Sequence, residues 1–163
     1  MTKLKVLFVC LGNICRSPLA EAIFKAKISK KGLDHLVEAD SCGTGNYHIG
    51  DLPDQRTVAN ARKNGVTINH RGRQLLLHDI ANHDFIVAMD ESNYGNILKI
   101  EGAEVHSHKI TLMRSYDTER DSDEVPDPYY GGEREFQEVF EILDRSIDCF
   151  LEKILDPKGL QDL

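Results

Sequence analysis

The sequence predicts an α/β fold, a parallel sheet covered by helices on both faces. Three observations carry this. Val6-Leu7-Phe8-Val9 is an unbroken apolar run, as a strand buried on both faces requires. Further apolar runs alternate along the chain with segments of helical period, and that order sets parallel strands side by side beneath helices. The last third carries an apolar stripe of helical period: Phe136, Val139, Phe140, Leu143, Ile147, Phe150, Leu151 and Ile154.

Residues 3–10 form the first expected strand. Residues 17–31 read as a helix, with Ser17 suited to the N-cap and Pro18 to the first helical position. Leu19, Ile23 and Ala26 share one face, lysines crowd the last turn and Gly32 closes it. Residues 37–41 are a second, weaker strand. Residues 43–54, with three glycines and Pro53, make a loop longer than a simple turn, which points to function. A helix over 54–64 ends at Gly65, a strand covers 83–89, a helix 90–100 and a short strand 104–106. Residues 114–130 are polar, carry two prolines and read as a long loop. No repeat, low-complexity tract or linker interrupts the chain, so residues 1–163 are expected to form a single domain.

Composition excludes several function classes. Hydrophobic residues make up 40% of the chain and charged residues 29%, ordinary for a globular domain. A formal net charge of -7 argues against nucleic acid or an anionic membrane as the main partner. No run approaches the roughly 20 apolar residues that cross a bilayer. Lys3 and Lys5 before an apolar stretch faintly imitate a signal peptide, but Asn13 and Arg16 cut it short, so the expected compartment is the cytoplasm. Cysteines at 10, 15, 42 and 149 lack the paired spacing of a zinc ribbon and are expected to be reduced. Cys42 and Cys149 read as core residues. His106-Ser107-His108 would set two imidazoles on one face of a strand, but no third ligand adjoins them, and no metal or cofactor is expected.

The chemistry concentrates where the first strand meets the first helix. Cys10 and Arg16 bracket Leu11-Gly12-Asn13-Ile14-Cys15, and Ser17-Pro18 follow at once. A loop feeding a helix N-terminus gathers unpaired backbone N–H groups into a concave anion site. Arg16 adds a planar fork that matches phosphate oxygens two at a time. The same positive field favours the thiolate of Cys10, its nucleophilic form. In a parallel sheet such a site lies beyond the carboxyl ends of the strands, where Cys10 falls. A cysteine that attacks phosphate also needs an acid to protonate the leaving oxygen. Asp127 is the candidate, because Pro126 and Pro128 restrict the backbone on both sides of it.

Residues 9–21, Val-Cys-Leu-Gly-Asn-Ile-Cys-Arg-Ser-Pro-Leu-Ala-Glu, resemble the signature of the low-molecular-weight protein tyrosine phosphatases. The stretches at 41–45, 70–74, 88–90 and 125–130 fall in that family's order, so the likeness spans nearly the whole chain. The resemblance implies a metal-free phosphatase with a four-stranded parallel twisted sheet in a three-layer domain. It implies a phosphocysteine on Cys10, phosphate bound by Arg16 and by the loop residues Leu11, Gly12, Asn13, Ile14 and Cys15, and Asp127 as general acid and then base. Ser17 would donate to the thiolate, Asn13 would hold the loop's shape, and His70 would support it from behind. Tyr47 stands on the pocket rim, where family members often carry tryptophan, and Tyr129 and Tyr130 would line a phenyl slot.

The implied substrates are phosphotyrosine-containing proteins or peptides, with inorganic phosphate as product and inhibitor. Ile14 fits the tyrosine-phosphate branch rather than related arginine phosphatases, which tend to carry threonine there. A thiol-dependent arsenate reductase shares the loop but needs relay cysteines, and residues 75–100 contain none. A silent phosphotyrosine-binding module would be expected to lose Cys10, Arg16 or Asp127, and all three are present. Cys15 reads either as a redox partner for Cys10 or as a small residue packed under the loop. Tyr129 and Tyr130 read as pocket wall or as phosphorylation sites.

Overall fold

The computed structural model describes residues 3–156, so both ends of the expected 1–163 domain lie outside the described residues. Strand β1, Leu4–Cys10, is an interior strand of a four-stranded, all-parallel sheet. The order is β2–β1–β3–β4, with β2 at Val37–Gly43, β3 at Phe85–Ala88 and β4 at Ile110–Leu112. Both faces of β1 are covered, which is why Val6, Leu7, Phe8 and Val9 are all apolar and all fully buried.

Helices α1 (Arg16–Lys30), α2 (Gln55–Lys63) and α5 (Glu133–Leu155) cover one face. There the Phe8 ring meets Phe24 of α1 and Phe150 of α5 at centroid distances of 5.5 and 6.4 Å, in edge-on geometry. The predicted stripe of α5 is the buried face of that helix, from Phe136 to Ile154. Full burial of a residue such as Leu143 or Ile147 stabilises the fold by about 2 kcal/mol. The opposite face packs Leu7, Val9 and Ile86 against Ile80 of α3 (Leu77–Asn82) and Ile97 of α4 (Glu91–Leu98). The result is three layers, and β1 has parallel neighbours on both sides. Its C-terminal end is therefore a topological switch point, the place where such sheets bind ligands.

Several expectations are corrected. Residues 104–106 are not a strand: Ala103–Lys109 is a 3-10 helix, and the edge strand is β4 just after it. His106 and His108 therefore do not share a strand face. Helix α1 begins at Arg16 with Cys15 at the N-cap, so Pro18 is its third residue, and Ser17 caps nothing because its hydroxyl is turned to Cys10. Helix α3 was not legible, and the 114–130 loop opens with a 3-10 turn, Met113–Tyr116. Cys42 is in the core, whereas Cys149 is only partly buried. Among the described residues no helix is long and apolar enough to cross a membrane.

Candidate active site

Seven residues, Cys10 to Arg16, turn the chain from the end of β1 into α1. The turn is tight enough that Asn13 adopts a left-handed backbone, φ 58°, the only non-glycine to do so among the described residues. The end of β2 lies against it: Thr44 N donates to Cys10 O and Gly45 N to Leu11 O, both at 2.9 Å. A Cβ at Gly43 would stand 2.5 Å from Leu11 O, so only glycine permits this approach.

The Asn13 side chain offsets the strained backbone with four hydrogen bonds. Its Nδ2 donates to Ser17 Oγ (2.7 Å) and Ser41 Oγ (3.1 Å). Its Oδ1 accepts from Arg73 N (3.0 Å) and His70 Nε2 (2.6 Å). His70 in turn presents Nδ1 to Glu21 Oε1 at 3.2 Å, and Ser41 Oγ donates to the same oxygen at 2.7 Å. His70 thus links Asn13 of the loop to Glu21 of α1. Glu21, Asp40 and His70 bring ligand atoms within 4.8 Å of one another, a spacing that would suit a metal. Each is committed elsewhere, Glu21 to Lys25, Asp40 to Arg73 and His70 to Asn13, so the cluster braces the loop.

Cys10 Sγ faces the inside of this turn. It accepts from Asn13 N at 3.3 Å and lies 2.9 Å from Ser17 Oγ. Asn13 Nδ2 donates to that hydroxyl, whose proton has two acceptors in reach, Cys10 Sγ at 2.9 Å and Cys42 O at 3.3 Å. Ser17 is fully buried and does not line the cleft, so its placement supports the nucleophile and not a substrate contact. Arg16 is 4% exposed, and Nη1 donates to Asp90 Oδ2 (2.7 Å) and Val125 O (2.9 Å). Burial alone would lower its pKa, but Cys10, Asp90 and Asp127 outweigh this and hold it above the usual arginine value. Burial pushes the Cys15 thiol up to about 12, so it is a neutral, buried thiol within the loop.

The loop forms the floor of a cleft of about 430 Å³. Tyr47, His48, Tyr129 and Tyr130 stand around it, and Asp127 closes one side with Oδ2 3.9 Å from Arg16 Nη2. The Asp127 side chain is half-exposed, and its other oxygen accepts from Tyr129 N at 3.1 Å. A thiol sulfur, a guanidinium and a carboxyl thus line one cleft, although Cys10 and Asp127 are more than 100 residues apart in the chain.

A family model described as "Low molecular weight phosphotyrosine protein phosphatase" matches residues 5–159. The chain belongs to this family. Among its curated relatives is the phosphatase of that name from Schizosaccharomyces pombe, 45% identical over 142 residues, which are 86% of this chain and 90% of the relative. The human phosphatase of the same name is 39% identical over 149 residues, 91% of this chain and 94% of its own. The crystal structure of a protein tyrosine phosphatase from Entamoeba histolytica superposes with a TM-score of 0.91 at 39% identity. That match covers 96% of this chain and 99% of the other.

At the site of this phosphatase, the sequence marks Asp90 only as part of the 88–90 stretch, with no role, and does not single out His48. Asp90, the N-cap of α4 just beyond β3, holds Arg16 from a position 74 residues away. His48 lines the cleft beside Tyr47, over Gly12, and no motif marks it.

Proposed function

We propose that this chain hydrolyses phosphotyrosine monoesters through a phosphocysteine intermediate. The observation that carries the reading is the convergence of Cys10, Arg16 and Asp127 on one cleft floored by the 10–16 loop, whose Asn13 N–H donates to Cys10 Sγ. Cys10 attacks phosphorus, an S–P bond forms and the P–O bond to the phenol breaks. Asp127, in its acid form, gives its proton to the departing oxygen. Arg16 and the loop N–H groups hold the three equatorial oxygens as charge spreads over them. The Asp127 carboxylate then takes a proton from water, whose oxygen attacks phosphorus and breaks the S–P bond, releasing inorganic phosphate and the thiolate.

The lining supports an aromatic ester. Tyr129, Tyr47 and the 96%-exposed Tyr130 offer flat apolar walls above the floor. Substrates of this reading are phosphotyrosine proteins or peptides, phosphate is a product inhibitor, and one catalytic domain spans the chain. None of these steps calls on a metal, and a reducing cytoplasm suits a free catalytic thiol.

The test is acid quench during turnover of a radiolabelled aryl phosphate. Label is expected on Cys10 in the active chain and absent from Cys10→Ser. A parallel panel of phosphotyrosine, phosphoserine and phosphoarginine peptides, and arsenate with thioredoxin, should show activity on phosphotyrosine above all others. No label on Cys10 would sink the mechanism, and preference for phosphoarginine would sink the substrate.

A further inference from the structure

We propose that Arg56, which does not line the cleft, is a positioning residue that holds the acid Asp127 over the nucleophile loop. The inference rests on the acid role of Asp127 proposed above. The upstream end of the acid loop is pinned at Val125, whose N donates to Met89 O (2.8 Å) and whose O accepts from Arg16. Downstream, the carboxyl of Asp127 is half-exposed, and its orientation depends on the Tyr129 N–H that donates to it.

Arg56 holds the other side of that same residue. Its Nη2 donates to Tyr129 O at 2.8 Å, Nη1 reaches Gly131 O at 3.5 Å, and the guanidinium lies 5.4 Å from the centre of the Tyr129 ring. Tyr129 is therefore tied to Asp127 through its N–H and to Arg56 through its carbonyl.

Arg56 itself has little freedom. Nε and Nη2 bond both oxygens of Asp54 (3.1 and 2.9 Å), and its guanidinium sits 4.7 Å over the Phe136 ring of α5. Asp54 caps α2 through Arg56 N, and its own N–H donates to Ile14 O (2.8 Å) in the nucleophile loop. A continuous chain of hydrogen bonds thus runs from Ile14 through Asp54, Arg56 and Tyr129 to Asp127. Its two middle members, Asp54 and Arg56, lie outside the cleft and fix the distance between nucleophile and acid from behind. Only a planar fork serves both ends, since a lysine ammonium is a point charge that does not reproduce the bidentate bond to Asp54 while also reaching Tyr129 O.

The experiment compares kcat/KM on two esters, phenyl phosphate with a basic leaving oxygen and p-nitrophenyl phosphate with an activated one. A proton donor matters for the first and little for the second. Arg56→Ala should lower kcat/KM about tenfold on phenyl phosphate and less than about threefold on p-nitrophenyl phosphate. Inhibition by inorganic phosphate should be unchanged, because the loop amides and Arg16 remain in place. The double variant Arg56→Ala/Asp127→Ala should be no worse on phenyl phosphate than Asp127→Ala alone, since both remove the same proton transfer.

Arg56→Lys should show the same ester-selective loss, and it carries the test if Arg56→Ala does not fold. Equal losses on both esters, or additive losses in the double variant, would overturn the positioning role while leaving Asp127 as acid. If Asp127→Ala itself proves indifferent to the leaving group, the acid assignment fails and the role of Arg56 falls with it.

Discussion

Ser17 Oγ accepts from Asn13 Nδ2 and lies 2.9 Å from Cys10 Sγ, nearer than its other acceptor, Cys42 O at 3.3 Å. The hydrogen bond to sulfur is strongest when the sulfur is an anion, and it therefore favours the state that attacks phosphorus. Ser17→Ala should lower kcat/KM on p-nitrophenyl phosphate by about tenfold, the size of a hydrogen bond to a charged group. It should also slow alkylation of Cys10 by iodoacetate at mildly acidic pH. Phosphate affinity should barely move, because Ser17 does not line the cleft. A variant that alkylates as fast as wild type would remove this role.

Cys15 sits one residue before the N-terminus of α1, yet burial raises its pKa to about 12. It is uncharged at all pH values well below 12 and becomes a thiolate only as pH rises through that value. At neutral pH iodoacetamide should therefore modify Cys10, protected by phosphate, and leave Cys15 intact until the chain is unfolded; peptide mapping by mass spectrometry reads this directly. Peroxide should inactivate the enzyme and dithiothreitol restore it. If Cys15→Ser recovers as fully as wild type, Cys15 is packing and not a redox partner.

How much of this was legible in sequence depended on how local each signal is. The strand Val6–Val9 and the stripe of α5 declare themselves because burial on both faces, or along one helical face, repeats in neighbouring residues. Helix α3 is six residues long, too short for a period to show. Its N-terminus is closed by Asp79 reaching back to Leu76 N at 2.9 Å, with leucine at the cap. Strand β4 is three residues, and its sequence pattern cannot be told from the 3-10 helix before it. The nucleophile loop was readable because its parts are contiguous. The roles of Asp90 and Arg56 were not, because they arise only when the fold brings these residues to Arg16 and Tyr129.

Away from the cleft, Asp117 ties the 3-10 turn to α5. Its carboxylate bonds Arg145 Nε (2.7 Å) and Nη2 (3.0 Å) and Arg114 Nε (3.1 Å). The hydrogen bonds from Arg145, more than any other contact, hold its pKa down at about 2. The folded value lies below the unfolded one, so the chain gains stability from Asp117 at neutral pH and loses it as pH falls from the unfolded pKa through about 2. Asp117→Asn takes the charged acceptor from Arg145 and leaves the buried Arg114 with Asp121 as its remaining carboxylate, and should destabilise the fold by about 2 kcal/mol at neutral pH. Urea denaturation at neutral and strongly acidic pH checks this. The gap between variant and wild type should shrink on acidification, and a constant gap would mean that the loss is packing.

Asn13 combines two properties that are separable by mutation: a left-handed backbone and a side chain that bonds Ser17, Ser41, His70 and Arg73 N. Glycine adopts φ 58° without cost and makes none of those bonds, whereas alanine loses the bonds and also strains the backbone. If the backbone angle alone shaped the loop, Asn13→Gly would be nearly silent and Asn13→Ala severe. The four hydrogen bonds argue the reverse weighting, because they orient the Ser17 hydroxyl and cross-link the loop to β2 and to the 70–73 segment. Asn13→Gly should therefore lose most of its kcat/KM, at least about tenfold, with Asn13→Ala somewhat worse. Both should weaken binding of inorganic phosphate, since loop amides no longer held in a ring point at the anion less well. Steady-state kinetics with phosphate as inhibitor reads both quantities at once. Wild-type phosphate affinity in Asn13→Gly would show that the ring of amides holds its shape without the side chain.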